Sequence, residues 1–377
     1  MFRLAWRQLL IDPLRTCLTA FALGAVIATI LVLEGFEQGQ YFQLARAVFD
    51  RDADLIVTQA GVSNFLATRS SIPQLSRADV ESVEGVVNAH PITVLPVIYE
   101  KLGRKTPLFL FVYDTRGGAV NIIEGQNISD GRDIIVDVSL AKRYDIQIGD
   151  KFIVSDFEFK VAGITEDAAA LFTGFAFINY DGMIDLFLES EIAPDLSTFP
   201  LLSFMLVELE PTADRVKVAS EIEARAPDVD VYTPQQLAEN DVNLGRTLFG
   251  PVMNLLVNVA YIIGLLVVGL IMFANVRSRL RSFAVLKALG FSNTNLAFAV
   301  LLQALLLLII SLPLGVLLAQ GIAMIIHLYT PLYLIYMFEP DVFIHTLSAS
   351  IIFAIIGSWI PLRSIRKADP MLAFQGT

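Results

Sequence analysis

The sequence predicts an α-helical membrane protein with four transmembrane helices and a mixed α/β extracytoplasmic domain inserted between spans 1 and 2. Three observations carry this. Hydrophobic residues make up 55% of the 377 and charged residues 17%, where a soluble domain carries roughly a quarter charged. The charge-free runs 16–33, 247–276, 288–338 and 342–362 are each long enough to cross a bilayer, because about 20 residues at roughly 1.5 Å rise span the hydrocarbon. The interval 38–246 holds 17 basic and 32 acidic side chains, a net charge of −15, so it reads as an acidic domain in water that is large enough to bury its own core.

Residues 1–13 read as an amphipathic helix on the cytoplasmic face. Phe2, Trp6, Leu9 and Leu10 share one helical face, Arg3 and Arg7 the other, and Asp12-Pro13 ends it. Transmembrane helix 1 follows at 14–36. Its apolar run exceeds the roughly 7–15 residues of a signal-peptide core and no small-x-small cleavage site precedes Glu34, so it is a retained span. Ala20, Gly24 and Ala28 form a small-residue stripe that lets another helix approach closely. Cys17, within this run, reads as a buried structural thiol. One cysteine and three histidines exclude a disulfide framework or a cysteine-built metal site within one chain.

The domain at 38–246 alternates strand and helix signals. Strands are expected at 54–58, 94–99, 108–112, 134–136 and 206–209, and at 151–154 and 157–163 joined by the two-residue hairpin Ser155-Asp156. Helices are expected at 76–83, 139–144 and 214–225. The acidic pairs Glu166-Asp167 and Asp228/Asp230 read as solvated surface. There is no P-loop, HExxH, GxSxG or His-carboxylate cluster, so the chain is not read as an enzyme.

Transmembrane helix 2 is expected at 248–275, a cytoplasmic helix at 277–292, transmembrane helix 3 at 295–325, an outer connector at 326–341, transmembrane helix 4 at 342–362 and a cytoplasmic tail at 363–377. The 51-residue run 288–338 could hold one span or two, and charge decides. With four spans, Arg3, Arg7 and Arg15, then Arg277, Arg279, Arg281 and Lys287, then Arg363, Arg366 and Lys367 all lie on the cytoplasmic side. A fifth span would expel the last three. His327, Tyr329, Tyr333 and Tyr336 then form an aromatic belt at headgroup level, which explains the tyrosines with fewer assumptions than haem ligation does. Pro313 kinks the third span. Asn254, Asn258, Gln303 and Gln320 are polar within spans, facing either a cargo path or a neighbouring helix. The overall charge of −11 argues against nucleic acid as a partner.

In the loop Leu280, Phe283, Ala284 and Leu286 keep helical spacing beside four cations, which makes a short basic amphipathic helix at the inner surface. A basic stretch running into Leu286-Lys287-Ala288-Leu289-Gly290 after the second of four spans resembles the signature of FtsX-like, MacB-type ABC transporter permeases. The opening Leu4-Ala5-Trp6-Arg7-Gln8-Leu9, the Val161-Ala162-Gly163-Ile164 strand and the tail 361–370, ending in Asp369-Pro370, are similar to that family in the same order. Ser282 and Ala284 stand where the family commonly has Glu and Gly. The run Phe283 to Gly290 looks most like a DevC-like branch.

The resemblance implies a permease subunit in the bacterial inner membrane, with both termini cytoplasmic, that moves with ATP hydrolysis by a separate subunit. No G-x-x-x-x-G-K-[ST] occurs here, so ATP and Mg belong to an ABC ATP-binding partner and this chain holds no cofactor. It further implies a dimer of permeases, a homodimer with a second copy or a pair of relatives, and contact with membrane lipids; a membrane-fusion adaptor and outer-membrane channel could complete a three-part machine. The loop would be the ATPase-coupling helix. Phe283, Leu286 and Leu289 would be its buried anchors and Arg277, Arg279, Arg281 and Lys287 its rim, with Gly290 in the same coupling element and Arg363, Arg366 and Lys367 on the same surface. The implied work is export or extraction of an amphipathic substrate; the alternative is an FtsX-like mechanotransmitting protein that activates an outer partner and carries no cargo.

Overall fold

The computed structural model describes residues 11–66, 69–101, 103–191 and 201–367. The amphipathic helix expected at 1–13 lies outside them except for its last three residues. In chain order the elements are α1 (Pro13–Phe49), β1 (Leu55–Gln59), β2 (Ile72–Pro73), α2 (Ser76–Glu81), β3 (Val86–Lys101), β4 (Arg104–Tyr113), β5 (Ile122–Gly125) and β6 (Asp133–Asp137). Then come α3 (Val138–Tyr144), β7 (Lys151–Val154), β8 (Phe157–Thr165), β9 (Ala169–Ala170), β10 (Thr173–Asn179), α4 (Tyr180–Glu189), β11 (Leu201–Leu202), β12 (Phe204–Leu209), α5 (Arg215–Arg225) and β13 (Val229–Tyr232). The chain continues with α6 (Pro234–Arg277), α7 (Leu280–Ala288), α8 (Asn293–Tyr329) and α9 (Pro340–Lys367). Two compact units result: a helical one from residues up to Gly39, Gly250–Leu328 and Leu334 onward, and a mixed one from Gln40–Phe249 with Tyr329–Tyr333.

Among the described residues α1, α6, α8 and α9 are the four helices long and apolar enough to cross a membrane. The 51-residue run supplies one of them, α8, and only 330–339 separate it from α9. Helix ends fall beyond the apolar runs. Helix α1 continues past the expected end at 36 to Phe49, and α8 passes 325 to reach Tyr329. Glu, Gln, Leu, Ala and Arg are good helix formers, so loss of hydropathy does not stop the helix. Glu34, at the end of the charge-free run, is buried, and the Tyr261 hydroxyl of α6 donates to it.

The stripe on α1 packs as its spacing predicts. Ala20 and Ala28 are buried, and a Cβ on Gly24 would lie 3.3 Å from the Gly315 nitrogen of α8. On Gly315 a Cβ would sit 2.8 Å from Ile27. Gly315→Leu therefore forces α1 and α8 apart, at a cost of about 1–3 kcal/mol. Gly321, with nothing within 4 Å of its Cβ position, is the control. Thermal unfolding of the full chain in detergent should drop by several degrees for Gly315→Leu only; equal midpoints would remove the close crossing. Cys17 departs from expectation. It is exposed, beside the exposed Leu14, Leu18 and Phe21, so it belongs to the outward face of the helix and not to the packed one.

The mixed unit is built on an eleven-stranded sheet with path β13-β1-β12-β3-β4-β10-β6-β8-β5. The pairs β4/β10 and β6/β8 are parallel, the others antiparallel. Ser155, at φ 61, turns β7 back onto β8 with Val154 opposite Phe157. The central strands bury both faces, as parallel pairs do. Leu110, Val112, Ile134, Val136, Ala176 and Ile178 meet α3 and α4 on one side. Their neighbours Phe111, Ile135, Phe175 and Phe177 meet Tyr41, Leu44 and Val48 of α1 and Leu237 and Ala238 of α6 on the other. A third core joins β1 and β12 to Val80 of α2 and to Val218 and Ile222 of α5. Asp214 caps α5 by accepting from Val216 and Lys217.

Two buried carboxyls fasten this unit. Asp137 caps α3, accepting from Ser139 N at 2.8 Å and Ala168 N at 3.2 Å. Asp241, on α6, accepts from Asn64 Nδ2 at 3.1 Å, Phe65 N at 3.0 Å and Leu66 N at 3.2 Å, pinning that loop. Burial pushes each up to about 7 against these hydrogen bonds. Between an ordinary carboxyl value and about 7 the folded chain then binds more protons than the unfolded one, so their contribution to stability falls as pH rises through that window. For Asp241 the fall is up to about 4 kcal/mol. Thermal unfolding of the full chain from pH 4 to 7 should show a shallower decline in Asp241→Asn than in wild type; parallel profiles would refute the assignment. The expected surface acids are engaged as well: Asp167 pairs with Arg46 at 2.8 Å and Asp230 accepts from Gly61 N at 2.7 Å. Among the described residues no group of three or more His, Cys, Asp or Glu could hold a metal.

Candidate functional site

The short basic helix expected at 277–292 is observed at α7, Leu280–Ala288, and the way it ends explains its sequence. Gly290 has φ 91. Its N–H reaches the Lys287 carbonyl at 3.0 Å, and the Phe291 N–H reaches the Leu286 carbonyl at 3.1 Å. This is the paired bonding of a Schellman cap, in which the left-handed residue after the helix favours glycine. Gly290 is thus fixed by backbone geometry, with open space around its Cβ position.

The helix has two unlike faces. Phe283 is 1% exposed and packs with Val276, Leu296 and Val300, while Leu280, Leu286 and Leu362 close over them. Ala284 is fully buried. The other face carries Arg281, Val285 and Leu289, one turn apart, with Leu289 72% exposed and Val285 42%. This corrects the expected set of outward anchors. Phe283 holds the helix to its own bundle and Leu286 packs beside it, so the apolar groups offered outward are Leu289 and Val285. The inward choice follows from Val276, Leu296 and Val300, which come from both flanking helices and which the loop's own spacing does not reveal.

The four loop cations separate too. Arg277 and Arg281 are exposed and Lys287 is half-buried. Arg279 is half-buried and does not sit on an outer rim: it lines a cleft with Arg15, Thr16 and Thr19 of α1, Asn275 of α6 and Gln303 of α8. Of the polar residues expected within spans, Gln303 is buried in that cleft, and Asn254, Asn258 and Gln320 are exposed on the surfaces of their helices. The structure does not bring the four together. The side chains of Arg363, Arg366 and Lys367 lie outside the described residues.

Residues 254–370, which contain this loop, match the family described as FtsX-like permease C-terminal. Residues 18–225, more than half of the chain, match the MacB-like periplasmic core domain. The chain belongs to the FtsX/MacB-type ABC transporter permeases. The permease is 23% identical over 367 residues to an uncharacterized ABC transporter permease of Mycobacterium tuberculosis, covering 96% of each chain. A Mycobacterium bovis protein of the same description is 22% identical over 369 residues, again with 96% of each covered. Among solved structures, the periplasmic region of MacB from Actinobacillus actinomycetemcomitans is similar at 9% identity and TM-score 0.37, covering 50% of this chain and 92% of that one. The permease is accordingly a multi-pass membrane protein with a periplasmic domain, and a permease of an ABC transporter implies an ATP-binding partner.

Proposed function

We propose that this permease couples ATP hydrolysis by a separate ATP-binding-cassette subunit to rearrangement of its outer domain, and that the work done is export or extraction of an amphipathic molecule. The observation that carries the coupling is α7. It is short, locked inward by Phe283, capped at Gly290, and offers Val285, Leu289 and Arg281 outward. Exposed apolar side chains flanked by cations on a helix whose other face is fixed make a docking surface, in which the apolar centre gives affinity and the charged rim steers. Arg277 and Arg281 are that rim, and both termini lie on the same, cytoplasmic, side.

We further assign a homodimer, on the outward flank of α6. Val252, Leu255, Val259, Ile262 and Leu266 are all exposed and recur at alternating steps of three and four residues, the 3.5-residue repeat of a helix pair. The test is ATP turnover of the permease reconstituted with its ATP-binding-cassette partner, together with the lipid profile of cells lacking the permease. Loss of an exported lipid supports transport; unchanged lipids with failed activation of an outer hydrolase would replace it with the signalling alternative. An adaptor and outer-membrane channel remain part of the proposal for an envelope-spanning assembly.

A further inference from the structure

The cleft at the α7 end of the helical unit holds more positive charge than its own residues balance. Arg15, in the first turns of α1, donates from Nη1 to Ser278 Oγ at 2.6 Å and from Nη2 to the Ala274 carbonyl at 3.0 Å. It thereby closes the last turn of α6, where exposed carbonyls attract a cation. Arg279 faces the same cleft from the following residue pair, and its buried Nη1 has no hydrogen-bond partner. Burial, then the charge of Arg15, push the Arg279 guanidinium down from its ordinary value, and Asp12 opposes them. A guanidinium keeps its proton regardless, so the cleft carries two like charges. Among the described residues neither arginine has a carboxylate within salt-bridge distance. Two partly desolvated cations side by side, one with an unused buried donor, are stable where an anion completes them.

The walls specify the anion. Asn275 supplies an amide group beside the guanidiniums, the Thr19 hydroxyl is spent on the Arg15 carbonyl at 2.7 Å, and Met272, Val300 and Leu307 supply apolar surface. The enclosed part measures about 20 Å³, room for roughly one water-sized oxygen. That space admits a single oxygen of a phosphoryl group. The cleft also lies where the charge-free run 16–33 of α1 begins and that of α6 ends, which is headgroup depth for a spanning helix. We propose that Arg15 and Arg279 form a binding site for the phosphoryl group of an anionic phospholipid, in the cleft between α1, α6 and α8. The lipid acts as the counter-charge that lets α1 and the α6–α7 junction stay together. The site uses residues of this chain alone and needs no ATPase, so it stands if the coupling role of α7 fails.

The test is native mass spectrometry of the full-length, delipidated chain in detergent, titrated separately with dioleoylphosphatidylglycerol, dioleoylphosphatidylcholine and inorganic phosphate. Wild type should take up one phosphatidylglycerol at about tenfold lower concentration than phosphatidylcholine. Arg279→Gln should weaken that uptake about tenfold. Arg279→Lys, which keeps the charge, should lose less, and the net-charge control Lys105→Gln, on an exposed outer-domain side chain, should match wild type. Equal loss in Arg279→Gln and Lys105→Gln overturns the site, since only bulk charge would then matter. Inorganic phosphate binding as tightly as phosphatidylglycerol overturns the lipid as its occupant. Should Arg279→Gln not stay folded, the wild-type preference decides alone: equal affinity for the two lipids refutes the proposal.

Discussion

Leu289→Asp should lower ATP turnover of the reconstituted permease–ATPase complex at least about tenfold while the four spans still insert. Leu289 is 72% exposed at the end of α7, with Val285 one turn before it. Burying a leucine against a partner contributes about 1.5–3 kcal/mol, and a carboxylate in the same place adds a desolvation cost. A factor of ten in affinity corresponds to about 1.4 kcal/mol, so the change is sufficient without any effect on the fold. Arg281→Glu should act more weakly and in a salt-dependent way, because it alters steering at the rim. Phe283→Asp is the contrasting lesion. It places a charge among Val276, Leu296 and Val300 and should loosen α7 itself, visible as a lowered unfolding midpoint that Leu289→Asp does not share. Unchanged turnover and co-purification in Leu289→Asp would reduce α7 to a membrane anchor.

The parts legible in the sequence were those whose signal is local. Charge-free runs and the placement of arginines give four helices and their order, and the Gly24 stripe gives a close crossing, because each depends on one residue's type and its neighbours at fixed offsets. Strand β10 and helix α4 were not legible. Thr173–Asn179 buries Phe175 and Phe177 on one face and Ala176 and Ile178 on the other, so no alternation marks it. Helix α4 contains Gly182, which reads as a breaker. Gly182 is there because a Cβ would lie 2.2 Å from the Gly131 carbonyl, a tertiary cause. Strand β3 was expected only at 94–99, yet it runs from Val86 to Lys101 and keeps Pro91 and Pro96 in register, opposite Met205 and Phe109. In the candidate site the short basic helix could be read directly, but its cap at Gly290 could not. Which face of α7 turns inward could not, nor could the meeting of Arg15 with Arg279, since both rest on contacts between residues far apart in the chain.

Cysteine placed on the α6 seam should cross-link two copies of the permease. In a Cys17→Ser background, which removes the only native thiol, Val259→Cys should convert most of the chain to a disulfide dimer on mild oxidation in the membrane. Ile309→Cys, 66% exposed on α8, should give only background. In a two-fold dimer a seam residue near the axis faces its own copy, and a bond forms only where the two Cβ atoms come within about 3.5–4.5 Å. Lipid alone would also accept Val252, Leu255, Val259, Ile262 and Leu266, so their apolarity does not decide between bilayer and partner. Asn254 and Asn258 favour the partner. Both are exposed at the flank of that seam on a helix expected to cross the membrane. An amide left without hydrogen bonds in hydrocarbon costs several kcal/mol, which a second copy's polar groups can offset. Asn258→Leu should therefore weaken the Val259→Cys cross-link by several-fold, although it makes the helix more apolar. Equal cross-linking at positions 259 and 309 would instead leave α6 facing lipid, and the second copy would have to dock on another helix.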